Sequence, residues 1–442
     1  MKRKIAAAAA LATVLTAAAC SSSSHGGSSA AQPLLSTNGK GKTVTIWLMT
    51  DAQKGWPAVV NAANAQFEKE TGAKVNIEWQ TWTNFGTKLD TALLSGNAPD
   101  AVELGNTQTA KYIASNAFVD LSSVKSQFDN SSTWLDSLAA SGESADGTKT
   151  YAIPYYAGAR VLIYRKDLFA KAGVTTAPTT LAELNTDLAK VKAANASKAN
   201  FSALYLPGKD WYTATSFGAG TFGTAGVIAK ASGNTFTGTL TDPAFEQGIQ
   251  TWYNLQKEYS VGATTVDESN QDSLMAQGNI AAIIGNAWEA GSVSGPVNTG
   301  GNPALAADLA TVAVPGVTAG DPTPAFLGGS DLAVPTHAQN PGLGAEWIKD
   351  YTDTAQQTAL AKFAIPNNKT LVPAFEAASP GNAAAGAAAL GKTWFIPNSA
   401  FWSQTSDEVA LQTAFSAIAT GAPIDKSLAT AQTAILGDLN GG

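Results

Sequence analysis

Cysteine occurs once in 442 residues, at Cys20, and histidine twice. A single thiol closes no internal disulfide and has no second cysteine with which to hold a metal. His25 stands in a Ser/Gly-rich stretch and His337 in a polar turn after Pro335. That scarcity disfavours a His-based triad, a zinc protease or a His-rich metal site, and no cofactor or metal is expected. Charge is scarce too: charged residues make up 14%, against roughly 25% in an ordinary globular chain. The net charge is −7, and more negative once Lys2, Arg3 and Lys4 leave with a cleaved leader. Arg160 and Arg165 are then the only arginines. A nucleic-acid partner needs a basic face, which this composition cannot build. Beyond the leader, no apolar run approaches the roughly 20 residues a bilayer span requires, so no transmembrane helix is expected in the mature chain. No internal repeat and no coiled-coil heptad is visible.

The N-terminus carries a pattern of its own. Lys2, Arg3 and Lys4 precede the apolar run Ile5 to Ala19, and Ala17-Ala18-Ala19 lead into Cys20. A basic start, a short apolar segment and small residues at its end make a secretory signal over 1–19. After these small residues Cys20 resembles a bacterial lipobox cysteine, which implies lipid attachment there; the alternative is ordinary cleavage leaving a free thiol. Stable anchoring takes more than one acyl chain, which a diacylated cysteine supplies. The Ser/Gly-rich residues 20–41 read as a flexible tether, spanning about 25 Å r.m.s..

The whole chain is 45% hydrophobic with eleven tryptophans, enough for a large core divided among two or three domains. Its grammar alternates. "TVTIWL" (43–48) is a β-branched strand, and 57–70 places Val60, Ala63 and Phe67 at helical spacing before Gly72. "KVNIEW" (74–79) and "AVEL" (101–104) are further strands, with a helix marked by Phe85, Leu89 and Leu93 between them. "VLIY" (161–164) and "NIAAII" (279–284) repeat the pattern. Thr180 to Glu183 reads as a capping box, and Asp242-Pro243 as a helix start. The C-terminal third reads as helical, with "GNAAAGAAALG" a loop or weak helix. Strands alternating with helices predict βαβ units and mainly parallel sheets.

Two motifs are decoys. "GAGTFG" (218–223) fits the dinucleotide fingerprint, but no buried strand precedes it. "SSVK" (122–125) fits the Ser-x-x-Lys of penicillin-reactive enzymes without their companion motifs. The aromatics say more. Trp47, Trp82, Trp211, Trp288, Trp394 and Trp402 fall at or near predicted strand ends and loops, beside polar groups in "NTQT", "KDWY" and "GNAWE". Flat aromatic surface next to amide and carboxylate groups suits a ligand with an apolar C–H face and a hydroxyl rim, that is, a sugar.

Six segments, in order, resemble the family 1 extracellular solute-binding proteins of ABC importers, and among them the sugar binders. They are "QFEKETGAKVNIEW", "GNAPDAVELG", "YAIPYYAGARVLIYRKDLFAKAGV", "SLMAQGNIAAIIGNAW", "GGSDLAVPTHAQNPGLGAEWIKDYTD" and "ALAKFAIPNN". Cys20 is similar to a bacterial lipobox cysteine, with Ala17 where leucine is usual. The resemblance implies an α/β fold of two lobes, 42–157 with 331–378 and 158–330 with 379–442. Ligand would bind between them, as ligands of open α/β sheets bind beyond the carboxyl ends of strands. Chain crossovers are expected near 157–160, 328–331 and 374–380.

Carried over residue by residue, the resemblance makes Asp51, Trp82, Asn106, Gln108, Tyr156, Trp211, Trp288 and Trp402 candidate ligand-binding residues. Lys54 is displaced from the family's Asp-Lys pair, and Gly158 stands where the family has a cleft glutamate. For each candidate aromatic the competing reading is lobe packing. With two arginines left, a bidentate clamp for acidic or phosphorylated sugars is disfavoured. The expected ligand is a neutral di- or oligosaccharide, and the expected partner a membrane permease of the ABC type, served by a monomer held at the outer face of the cytoplasmic membrane. The implied molecule is a binder and no enzyme. Two alternatives stay open: a lipid-anchored carboxylate glycosidase, which needs only two acidic residues, and a binder of a non-sugar solute.

Overall fold

The computed structural model describes residues 34–223, 227–232, 235–402 and 406–441. The signal segment and Cys20 lie outside them. Residues 34–41, expected as the end of a tether, are seated on the domain: the Ser36 and Gly39 amides donate to the Gly342 and Thr71 carbonyls at 3.0 Å, and Leu34 and Leu35 pack against the core. These two leucines give the segment apolar surface to bury, which the serines and glycines before it lack.

The strands are β1 (Thr43–Met49), β2 (Lys74–Gln80), β3 (Ala101–Gly105), β4 (Ala152–Arg165), β5 (Ala229–Ser232), β6 (Thr235–Gly238), β7 (Ala282–Asn286), β8 (Leu309–Val312), β9 (Ala325–Ala333), β10 (Ile365–Pro366) and β11 (Thr393–Trp394). β1 pairs in parallel with β2 and β3, as βαβ units require. The helix between β1 and β2, Pro57–Thr71, begins with proline at its first turn and buries Val59, Val60, Ala63 and Phe67. It stops at Gly72, whose left-handed φ of 72° costs glycine little.

The expectation of mainly parallel sheets holds for this first part, and beyond it among the named strands only the two-residue β11 runs parallel to its neighbour, β9. β9 joins β3 antiparallel, β4 joins β9 antiparallel, and β7 and β8 both join β4 antiparallel. β4 is one continuous strand of 14 residues, where the sequence suggested a strand only from Val161. Its first half pairs with β9 and β10, and its second half with β7 and β8. An antiparallel ladder needs no helical crossover, so one long strand can serve two neighbouring groups of elements.

Helix caps follow the sequence closely. Thr180 Oγ1 accepts from the Glu183 amide at 3.1 Å. The return bond goes one residue early, from the Thr179 amide to Glu183 Oε2 at 2.8 Å. "GNAAAGAAALG" contains the helix Ala383–Leu390. "GAGTFG" begins at the last residue of the helix Trp211–Gly218, so the strand–turn–helix setting of a dinucleotide site is missing. "SSVK" forms a 3₁₀ turn, its lysine paired with Glu143 at 2.8 Å.

Three main groups of buried side chains hold these elements. One surrounds β1 and the helices Pro57–Thr71 and Pro341–Tyr351, with Phe67, Tyr155, Trp347 and Tyr351. Another gathers Trp211, Phe217, Phe245, Trp252 and Phe415 against Leu162 and Ile284. The third lies under the middle of β4 and β9, with Ala157, Ala159, Leu327, Ile365 and Phe375. Among the described residues no helix is long and apolar enough to cross a membrane.

Candidate functional site

A cleft of about 680 Å³ opens over the middle of β4 and β9, within the size range of small-ligand sites. Its floor is Tyr156 to Ala159 with Gly329 and Ser330. Asp51 enters from the first turn of the helix Thr50–Gly55, which follows β1 directly. Trp82 comes from the loop after β2 and Trp288 from the turn after β7.

Asp51 and Trp82 act as a unit. The Trp82 indole Nε1 donates to Asp51 Oδ2 at 2.7 Å. The ring also meets Phe85 edge-on, with centroids 6.2 Å apart. These contacts orient a side chain that is still 44% exposed. Beneath them Glu103 is buried on β3 and accepts the Met49 amide at 2.9 Å. Burial, opposed by that amide and reinforced by the nearby Asp51 charge, pushes its carboxyl up to about 7. Tyr156 is braced by Trp56, whose ring stands edge-on to it at 5.3 Å. Trp56 Nε1 in turn donates to the Tyr155 hydroxyl at 2.6 Å, and Tyr155 bonds the Tyr351 hydroxyl. This aromatic wall is fixed from behind.

Trp288 is 55% exposed. The next residue ties its turn down: Glu289 accepts from the Asn286 amide and from Gln271 Nε2, both at 2.8 Å. Burial raises the Glu289 carboxyl to about 7. Trp288 shares the cleft lining with Trp82 and Phe363, 44% and 52% exposed, and exposed apolar groups gathered in one groove mark a binding surface.

The eight candidates therefore separate. Asp51, Trp82, Tyr156 and Trp288 line one cleft. Trp211 and Trp402 do not: they are 1% and 6% exposed and offer no free face. Trp211 stacks on Tyr212 at 4.0 Å and meets Trp394 and Trp402 at 6.1 Å each. The polar residues around it serve the core as well. Asp210 caps the helix Trp211–Gly218 through the Thr213 amide at 3.1 Å and shares Arg160 with Glu268, each bond 3.1 Å. Arg160 also covers the Tyr212 ring at 4.7 Å. Trp211 and Trp402 are thus packed where the resemblance implied stacking surface. Asn106 and Gln108 form the first turn of the helix Asn106–Ala114 and are not among the cleft-lining residues. The Asn106 amide instead donates to the Leu327 carbonyl at 3.3 Å.

Sequence reasoning missed Trp56, Ser330, Phe363 and Asn382 and set Lys54 aside, yet all five line the cleft. Phe363 sits inside the quoted segment "ALAKFAIPNN" and is 52% exposed, a signal that could have been used. Asn382 had none, since "GNAAAG" carries no pattern. Glu70, Glu346 and Asp350 form the carboxylate cluster closest to a metal site among the described residues. Lys349 already places its ammonium 2.5 Å from Glu346.

The profile of the family described as "Bacterial extracellular solute-binding protein" matches residues 47–358. The chain is similar to the diacetylchitobiose binding protein DasA of Streptomyces coelicolor, 32% identical over 407 residues, 90% of this chain and 89% of the relative. Its fold resembles the sugar-binding protein MalE of Xanthomonas citri, with a TM-score of 0.74 at 20% identity over 90% of this chain and 97% of that one. It also resembles the GacH receptor of Streptomyces glaucescens, solved without ligand and with acarbose, with a TM-score of 0.69 at 21% identity over 89% and 97%. Both solved relatives share the α/β fold, two-lobed with a cleft, that the sequence led one to expect. The chain belongs to the bacterial extracellular solute-binding proteins.

Proposed function

We propose that this protein is the substrate-binding component of an ABC sugar importer, taking a neutral di- or oligosaccharide into the cleft and presenting it to a membrane permease. The observation that carries this reading is the pairing of two exposed indoles, Trp82 and Trp288, with the Asp51 carboxylate in one cleft. Indoles cover the C–H faces of sugar rings, and a carboxylate accepts from their hydroxyls. The DasA relative, named for diacetylchitobiose, makes that β-linked disaccharide the first ligand to test. Among the described cleft residues Asp51 is the one carboxylate, whereas hydrolysis of a glycoside takes two; this supports binding over catalysis.

The lobes are 42–157 with 331–378 and 158–330 with 379–442, and ligand bridging them favours a closed state. The shift is limited by the ligand's differential affinity for the two states. The protein acts as a monomer, exported and held at the outer face of the membrane through Cys20. Calorimetry against diacetylchitobiose, cellobiose, xylobiose, maltose and amino-acid controls tests the function. Uptake of one sugar without product release supports it; binding only of a non-sugar, or sustained hydrolysis, defeats it. Cys20→Ala protein found in the medium supports the anchor, and a processed Cys20→Ala form still in the membrane fraction refutes it.

A further inference from the structure

Gly158 lies in β4 on the cleft floor, opposite Gly328 of β9. A Cβ at this position would stand 2.4 Å from Cζ3 and 3.0 Å from Cη2 of Trp288. Carbon atoms in contact prefer about 3.5–4.0 Å, so the indole occupies the space that any other residue would fill. Its neighbours in the cleft lining include Ala157, Ala159, Ala287 and Gly329, none with a side chain larger than a methyl group. Trp288 therefore rests on bare strand, with 55% of its surface still open. Its seat depends on an absence in β4, more than 120 residues earlier in the chain.

We propose that Gly158 is a positioning residue for ligand binding: by carrying no side chain it lets Trp288 settle onto β4, and the depth of that seat sets the room left in the cleft for a sugar ring. This rests on the proposed saccharide-binding function. Gly158 touches Trp288 and acts through it. A methyl group at 158 has to displace the ring, because its nearest indole carbons at 2.4 and 3.0 Å are closer than carbon–carbon contact allows. The displaced ring moves into the space where the ligand would stack.

The test is a double-mutant cycle, because a glycine that acts through one neighbour loses its effect when that neighbour is gone. Full-length wild type, Gly158→Ala, Trp288→Ala and the double variant are titrated calorimetrically with diacetylchitobiose. Acrylamide quenching of tryptophan fluorescence is recorded without ligand. The expected result is about a tenfold or greater loss of affinity for Gly158→Ala in the wild-type background, and under about twofold beside Trp288→Ala. Quenching should rise in Gly158→Ala relative to wild type and match between the two variants that lack Trp288.

Equal losses in both backgrounds, or no loss in the first, overturn the proposal. If Gly158→Ala alone does not fold, the double variant, which has no clash, is expected to fold and to bind as Trp288→Ala does. Failure of the double variant to fold would mean the strand itself requires glycine, and would overturn it too. A wild type that binds no sugar overturns the proposed function. In that case unchanged quenching in Gly158→Ala also overturns the seat, while increased quenching supports the seat alone.

Discussion

Replacing Trp288 with alanine separates the ligand-binding reading from the packing reading, and its size follows from exposure. The side chain is 55% exposed, which is about 140 Å² of the roughly 250 Å² a tryptophan can bury. A sugar ring stacked on one face covers about half of that, ~70 Å². At ~25 cal/mol per Å² the contact contributes about 1.8 kcal/mol, or roughly 20-fold in Kd. The buried remainder rests on the glycine and alanine floor of the cleft, outside the large aromatic clusters of the core. Its loss should lower the ligand-free melting temperature by only a few degrees. Calorimetry with diacetylchitobiose measures the first quantity and a thermal melt monitored by circular dichroism the second. Compaction on ligand binding, followed by solution scattering at a fixed sub-saturating concentration, should shrink in parallel. Trp288→Ala protein that unfolds without ligand, while its folded fraction binds normally, would place Trp288 in the core and refute the reasoning.

Trp211→Ala should do the reverse, destabilising by about 3–5 kcal/mol through the hole left between Tyr212, Trp394 and Trp402; a variant of normal urea midpoint that no longer binds sugar would reverse its assignment. At Asp51, asparagine can still accept from Trp82 and should cost at most about threefold in affinity, whereas alanine releases the indole and should cost about tenfold or more; equal effects in titration would mean the charge matters and the orientation of Trp82 does not. Asp331 is buried, accepting from Thr109 and Ser141 at 2.6 and 2.9 Å, and burial raises its carboxyl from 3.8 to about 7. The folded state thus holds a proton that the unfolded state releases, so Asp331 favours folding at low pH and progressively loses that contribution as pH rises from about 4 to 7. Asp331→Asn should therefore flatten the decline of stability across that window by about one proton's slope and raise stability at pH 8; an unchanged slope in urea melts at stepped pH would show that Asp331 is ionised when buried.

The sequence by itself determined the elements whose signals are local. Apolar, β-branched runs gave β1 and β2, 3.6-residue spacing gave the helix between them, Thr180 and Glu183 gave a cap, and Asp242-Pro243 gave a helix start. Each depends on residues within one turn or one strand of each other. The resemblance to the solute-binding family, and no local signal, supplied Asp51, Trp82, Tyr156 and Trp288, which the structure brings to one cleft. The tertiary structure alone decided what the remaining aromatics do. Trp211 and Trp288 both occupy polar, loop-like stretches of sequence. One is buried because Phe326, Trp394 and Trp402, distant in the chain, converge on it, and the other lies over Gly158 with 55% of its surface open. Strand direction was hidden for the same reason. Whether β9 joins β3 parallel or antiparallel depends on the path of the chain between them, and no residue in either strand records it. Burial and pairing are sums over neighbours far apart in sequence, and a single sequence states only one side of each contact.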